Sequence, residues 1–123
     1  MPNIVIKRIY EPYASSDGYR VLVDRLWPRG IKKETAHVDY WAKDLSPSTE
    51  IRKAFNHQDN KWEEFKDDYL HELAANQTVE VIVKQIQHED KTTLLYGAKD
   101  EEHNNAAILR DFLKQKAAKF KLD

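Results

Sequence analysis

The sequence predicts an α/β domain in which helices pack on a mostly parallel sheet of about four strands. Three observations support this prediction. Runs of β-branched and aromatic residues occupy the start of the chain, helical periodicity occupies the middle, and a strand, a turn and a helix close it. A length of 123 residues corresponds to a single domain, taken as residues 1–123.

Four strands are predicted. Ile4–Tyr10 is the first β-branched stretch, and Tyr19–Asp24 is a second and more buried one. The turn-forming sequence EPYASSDG separates the two. A third, half-exposed strand is expected over Asp39–Leu45, with a short helix as the alternative. The fourth and most apolar strand is Thr92–Tyr96.

The middle of the chain is predicted to hold three helices. Ser46 and Pro47 have the order of an N-cap serine and a first-turn proline, so the first helix is expected to open there. Asn60 and Glu63 have capping-box spacing at the start of the second helix. The third has apolar residues at helical spacing and is expected to end near His88.

A last helix is predicted from Asp100 to the end of the chain. Asp100 would cap it, and acidic residues in its first turn would complement the positive end of the helix dipole. Its inward face would consist of Leu109, Phe112, Leu113 and Phe120.

Composition argues against several classes of function. Basic and acidic residues number 20 and 21, and this balance argues against a dedicated duplex nucleic-acid binder. The absence of cysteine excludes disulfides, thiolate nucleophiles and cysteine-based metal sites. No secretory signal and no apolar run of about eighteen residues is visible, so a cytoplasmic protein without membrane association is expected. The sequence indicates neither a cofactor nor an oligomeric state.

Polar residues are concentrated after the fourth predicted strand. Lys99 and Asp100 follow the glycine at which that strand ends. His103 and Asn104 are mediocre helix formers that the predicted helix does not need as caps. Asn105 lies one turn before an inward-facing leucine, so its amide is expected to be partly buried. That amide would be hydrogen-bonded either to a loop carbonyl or to a ligand.

A second polar cluster follows the second predicted strand. Asp24 and Arg25 come at the strand end, and Arg29 lies in the loop that follows. Two guanidinium groups could clamp a phosphate or a carboxylate, because their geometry matches those oxygens in pairs. The alternative is that Asp24 pairs with Arg25 or Arg20 and only holds the loop.

The two clusters are predicted to form one site. If the second and fourth strands run parallel and both flank the first, their ends meet at the edge where open α/β sheets bind ligands. Free backbone donors at a helix start would favour a small anion, such as a nucleotide, a phosphate or a carboxylate. The predicted ligand-binding residues are Tyr10, Arg25, Arg29, Lys99, Asn104 and Asn105.

Two functions are compatible with such a site. In an enzyme, His103 would shuttle protons and Asp24 or Asp100 would orient it. In a non-catalytic module that binds a ligand or a protein, Trp27 and Tyr13 would be available for an interface. No metal site is expected, because Asp100 and His103 are the only pair with suitable helical spacing.

The segments VLVDRLWPRG, LLYGAKDEEHNNA, IKRIY and WAKDLSPSTEIRKAF closely resemble the YeaO-like branch of a bacterial domain-of-unknown-function family. The resemblance extends roughly from Ile4 to Leu113 and implies a small three-layer, Rossmann-like α/β domain. Other branches carry a Cys-x-Glu and Cys-His-Arg pattern after the last strand. In this chain Tyr96, Ala98, Asn104 and Asn105 fall around those places, and His103 is the nearest counterpart of the histidine. Thiol chemistry of relatives therefore cannot transfer to this chain.

Overall fold

The computed structural model describes residues 3–56 and 58–119. Within these residues four strands form one parallel sheet: β1 (Asn3–Arg8), β2 (Tyr19–Leu22), β3 (Tyr40–Trp41) and β4 (Lys91–Tyr96). Their order across the sheet is β1-β4-β2-β3. The strand β4 is buried from Thr92 to Tyr96, as expected for a strand that is covered on both faces. The predicted α/β class with a parallel four-stranded sheet is confirmed.

Five α-helices accompany the sheet in the described residues: α1 (Lys33–Ala36), α2 (Thr49–Phe55), α3 (Trp62–Ala74), α4 (Thr78–Gln87) and α5 (Asn105–Lys119). Helix α4 ends where the sequence predicted, one residue before His88. In α5 Leu109 and Leu113 are fully buried, as predicted, and Phe112 packs against the same core. Phe120 lies outside the described residues. No described helix is both long and apolar enough to cross a bilayer.

The two faces of the sheet are covered differently. Alternate strand residues such as Val21 and Leu94 pack against α2–α5 and form the main core. Leu22 and Leu95 point to the other face, where the segment around α1 covers them with Trp27, Ile31, Val38 and Trp41. The domain therefore has three layers, of which one consists of helices and the opposite one mainly of loop.

Two predicted helix caps are wrong. Ser46 is buried ahead of α2, and its Oγ donates to the carbonyl oxygen of Lys43 at 2.6 Å instead of capping a helix. Helix α3 starts one residue before Glu63, after a 3-10 turn that contains Asn60, and no side chain caps it. In both places the residue predicted as the cap belongs to a tight turn that precedes the helix.

The third strand is shorter than predicted. Of the predicted Asp39–Leu45 strand, only Tyr40–Trp41 (β3) pairs with β2, and Lys43–Leu45 forms a 3-10 turn instead. The alternative of a short helix is thus correct for that second half. Leu45 is buried there, and its carbonyl oxygen accepts a hydrogen bond from the hydroxyl of Tyr69 in α3. This contact ties the end of the sheet to the helical layer.

Candidate functional site

The candidate site lies where β2 and β4 end side by side. After β2 the chain crosses the face that carries Leu22 and Leu95, whereas after β4 it enters α5 on the opposite face. Neighbouring parallel strands whose connections leave on opposite faces open a crevice at their C-terminal ends. The predicted arrangement, with both strands flanking the first, is wrong, because β4 itself lies between β1 and β2.

A cavity of about 540 Å³ occupies this crevice. Of the residues predicted for the site, it is lined by Asp24, Arg25, His103, Asn104 and Asn105. Tyr10, Arg29, Lys99 and Asp100 lie outside its lining. Tyr10 is half-exposed at the same sheet edge, and its hydroxyl donates to the carbonyl oxygen of Arg29 at 3.0 Å. Lys99 and Asp100 line an adjoining cavity of about 490 Å³, which shares His103 with the first.

Asp24 joins the ends of the two strands. The backbone N–H of Gly97 donates to Asp24 Oδ2 at 2.8 Å, and the Asn105 amide lies 3.5 Å from Oδ1. Burial raises the pKa of Asp24 above its ordinary value, although these hydrogen bonds and the positive charge of Arg52 act in the opposite direction. The predicted alternative, pairing of Asp24 with Arg25 or Arg20, is wrong, since Arg20 pairs with Asp17.

Replacing Asp24 by asparagine should therefore change stability in a pH-dependent way. A pKa that is higher in the folded protein than in the unfolded chain costs stability as the pH rises through it. Asparagine keeps an acceptor for Gly97 but does not titrate. We expect the melting temperature of Asp24→Asn, relative to the parent protein, to be higher at pH 7 than at pH 4. Thermal denaturation followed by circular dichroism at both pH values measures this difference.

Asp100→Asn serves as the control of opposite sign. Hydrogen bonds from the backbone N–H groups of His103 and Glu102 lower the pKa of Asp100. Its carboxylate therefore contributes stability at neutral pH that disappears as the pH falls. If the melting temperatures of both variants, relative to the parent protein, changed in the same direction between pH 4 and pH 7, a raised pKa of Asp24 would be wrong.

Helix α5 begins later than predicted. Asp100 accepts two backbone hydrogen bonds in the turn before the helix and does not cap α5 itself. Asn104 is the cap: its Oδ1 accepts from the N–H of Ala107 at 2.8 Å, and its Nδ2 donates to the Asp100 carbonyl oxygen at 2.9 Å. The expectation that this asparagine was not needed as a cap is wrong. With only 3% of its surface exposed, Asn104 holds the loop against the helix.

Asn105 is partly buried, as predicted. Its Nδ2 donates to the carbonyl oxygen of Val23 at 2.9 Å, which is the loop-locking alternative considered from the sequence. The same side chain lines the cavity. Asn105 therefore fastens the start of α5 to the end of β2 and fixes the position of Asp24 from a second side.

His103 is held between an aromatic ring and two carboxylates. Its ring stacks on Trp62 with centroids 4.8 Å apart, and its Nδ1 lies 3.6 Å from Asp59 Oδ1 and 3.8 Å from Asp100 Oδ2. Ligand atoms of these three side chains all lie within 4.8 Å of one another, so they are the described residues that could hold a metal ion. The sequence did not reveal Asp59, because the fold brings it from another element. The proton-transfer roles of His103, Asp24 and Asp100 stay predictions.

Two basic residues of the cavity were also missed. Arg52 and Lys53, on α2, line it together with Arg25, whose Nε donates to the carbonyl oxygen of Pro47 at 3.3 Å. Among the described residues, none of these three cations lies within 4.0 Å of a carboxylate. A sequence signal for Arg52 and Lys53 was not available, since basic residues on the exposed side of a short helix are common.

Comparison with known proteins places the chain in a family. The family described as "Inactive DUF488-N3 subclade" matches residues 3–122. The uncharacterized protein YeaO of Escherichia coli (strain K12) is 46% identical over 112 residues, which is 91% of this chain and 97% of YeaO. An uncharacterized protein of Mycobacterium tuberculosis (strain ATCC 25618 / H37Rv) is 44% identical over 71 residues, 58% of this chain and 60% of that protein. No solved structure matches significantly. The family match covers nearly the whole chain, and the chain therefore belongs to the inactive DUF488-N3 subclade.

Proposed function

We propose that this protein is a non-catalytic module that binds a small anion in the cavity at the ends of β2 and β4. The observation that carries the proposal is the convergence of Arg25, Arg52 and Lys53 on one cavity, with no carboxylate of the described residues within 4.0 Å of them. Guanidinium groups bind phosphate and carboxylate oxygens in pairs, so this lining suits either anion.

A binding role accounts for the surroundings better than a catalytic one. The Asp24 carboxylate is engaged by Gly97, and no described contact joins it to His103. The imidazole Nδ1 of His103 faces Asp59 and Asp100. Asp24 and His103 therefore lack the mutual geometry of an acid–base pair. The family description as an inactive subclade is in line with this assignment.

Isothermal titration calorimetry with inorganic phosphate, ethyl phosphate and propionate tests the proposal. Removing one charge-assisted contact costs about 1.5–3 kcal/mol, so Arg25→Ala and Arg52→Ala should each weaken binding about tenfold to hundredfold. Arg29→Ala is the matched control, because Arg29 is exposed at the same sheet edge but outside the cavity lining. Its affinity should remain within about twofold of the parent protein.

Two results would refute the proposal. One is the absence of binding for all three anions both in the parent protein and in Asp24→Asn, which removes the carboxylate charge from the cavity wall. The other is an equal loss of affinity in Arg29→Ala and Arg25→Ala, which would indicate general electrostatic attraction and not a site.

A further inference from the structure

The Asp24 carboxylate is unusual for the wall of an anion site. It is partly buried, and its hydrogen-bond partners are the N–H of Gly97 at 2.8 Å and the amide of Asn105 at 3.5 Å. Within the described ranges no cation lies within 4.0 Å of it. An ionised carboxylate offers about four acceptor positions, so the two contacts leave it able to accept more hydrogen bonds.

Its position is fixed before any ligand arrives. The indole Nε1 of Trp41 donates to the Asp24 carbonyl oxygen at 2.8 Å, and Asn105 holds the preceding carbonyl of Val23 at 2.9 Å. A group placed so rigidly needs little reorganisation to receive a partner, and this favours binding. A simple anion would be repelled by this carboxylate, whereas a cationic or donor group would be attracted.

The cavity thus combines two opposite charges with apolar surface. Asp24 projects from the end of β2, and the cations of Arg25 and Arg52 come from the following loop and from α2. The apolar part of the lining comes from Leu26, Pro47, Phe55, Phe65 and Ala98. A ligand that complements this surface carries a positive group, a negative group and an apolar part.

We propose that the ligand is a small zwitterion whose ammonium group binds Asp24 while its carboxylate or phosphate binds Arg25 and Arg52. This inference rests on the proposed anion site and names the class of molecule that the site takes. Amino acids with apolar side chains and amino-alkyl phosphates belong to this class. The repulsion that Asp24 exerts on a plain anion becomes an attraction for such a molecule.

The test compares pairs of compounds that differ by a single ammonium group. These pairs are alanine and propionate, phenylalanine and 3-phenylpropionate, and phosphoethanolamine and ethyl phosphate. Calorimetry at pH 7.5 should show that the ammonium member of at least one pair binds the parent protein about tenfold more tightly or better, as expected for a charge-assisted contact. In Asp24→Asn this advantage should fall below about twofold, while the plain anion binds as well as before or better.

The possible results separate the two proposals. Equal affinity within every pair that binds would overturn the zwitterion assignment and leave the anion site intact. An ammonium preference that persists in Asp24→Asn would overturn it as well. If no compound of the panel binds either the parent protein or Asp24→Asn, the anion site itself is refuted. The comparison of pairs on the parent protein decides the question even if Asp24→Asn does not fold.

Discussion

Replacing Asp17 by asparagine should lower the free energy of unfolding by about 3–5 kcal/mol, because it leaves the buried guanidinium group of Arg20 without its counter-ion. Asp17 is 6% exposed and Arg20 only 2%. The Asp17 carboxylate accepts hydrogen bonds from Arg20 Nη1, from Lys7 Nζ and from the N–H of Ala14. Asparagine has nearly the same size, so the loss reflects charge and hydrogen bonding and not a cavity.

The same ion pair also organises the second layer of the domain. Arg20 Nε and Nη2 donate to the carbonyl oxygens of His37 and Ala36 at 2.9 and 3.0 Å, which fastens the end of α1 to β2. Without Asp17 the guanidinium group would keep these contacts but carry an uncompensated charge in a buried position. We therefore expect the segment that covers Leu22 and Leu95 to loosen together with the global loss of stability.

The pH dependence of this effect has a defined sign. Burial alone would raise the pKa of Asp17, but the hydrogen bonds from Lys7, Ala14 and Arg20 outweigh it and leave the pKa below the ordinary value of 3.8. A lowered pKa contributes stability above the unfolded-state pKa and loses it as the pH falls through the folded-state pKa. The difference in unfolding free energy between Asp17→Asn and the parent protein should therefore be largest near pH 7 and become smaller towards pH 3.

Urea denaturation at both pH values measures the effect, with Asp111→Asn as the matched control. Asp111 forms an exposed ion pair with Arg110, and such pairs contribute only about 0–1 kcal/mol. A loss in Asp17→Asn no larger than that in Asp111→Asn would show that the buried network is dispensable.

The main elements of the fold could be predicted because they depend on local pattern. Three of the four strands are short β-branched or apolar runs, and the buried face of α4 follows strict helical spacing through Val79, Ile82, Val83 and Ile86. The inward residues of α5 follow the same rule. Strand order does not depend on local pattern, and nothing in the sequence of β4 shows that this strand lies between β1 and β2.

Helix starts were harder to predict, because several residues in a row could serve as caps. Asp100 and Asn104 both accept backbone hydrogen bonds, one in the turn and one at the helix. Tertiary packing decides between them: Ala106 is completely buried, which fixes where α5 meets the sheet. The sequence shows which residues are able to cap a helix, but only the packed structure shows which of them does so.

The candidate site was predictable only in the part that follows the strands. Asp24 and Arg25 follow the end of β2, and Asn105 opens the helix after β4, so the topology of the sheet brings them together. Arg52 and Asp59 reach the site through the packing of α2 and the turn before α3, which depends on contacts between distant parts of the chain. The charge of the cavity, and hence the ligand that we propose for it, depends on residues from these distant elements.

Gly18→Ala should also be strongly destabilising, by about 3–5 kcal/mol, since backbone strain and a direct overlap add to one another. Gly18 has φ 69° and ψ −134°, a conformation that residues with a Cβ rarely adopt. A Cβ built there would lie 2.3 Å from the carbonyl oxygen of Lys91. That oxygen belongs to the backbone of β4, so the clash cannot be relieved by rotating a side chain.

Gly30→Ala separates the two contributions to this loss. Gly30 also has a positive φ, 81°, but nothing lies within 4 Å of the position a Cβ would take. It should therefore show only the conformational cost, about 1–2 kcal/mol. Urea denaturation of both variants gives the difference in their unfolding free energies, which measures the close approach of the Gly18 turn to β4. Equal losses in the two variants would mean that β4 shifts freely at Lys91. Such freedom would contradict a rigid central strand, on which the alignment of Asp24 with Gly97 depends.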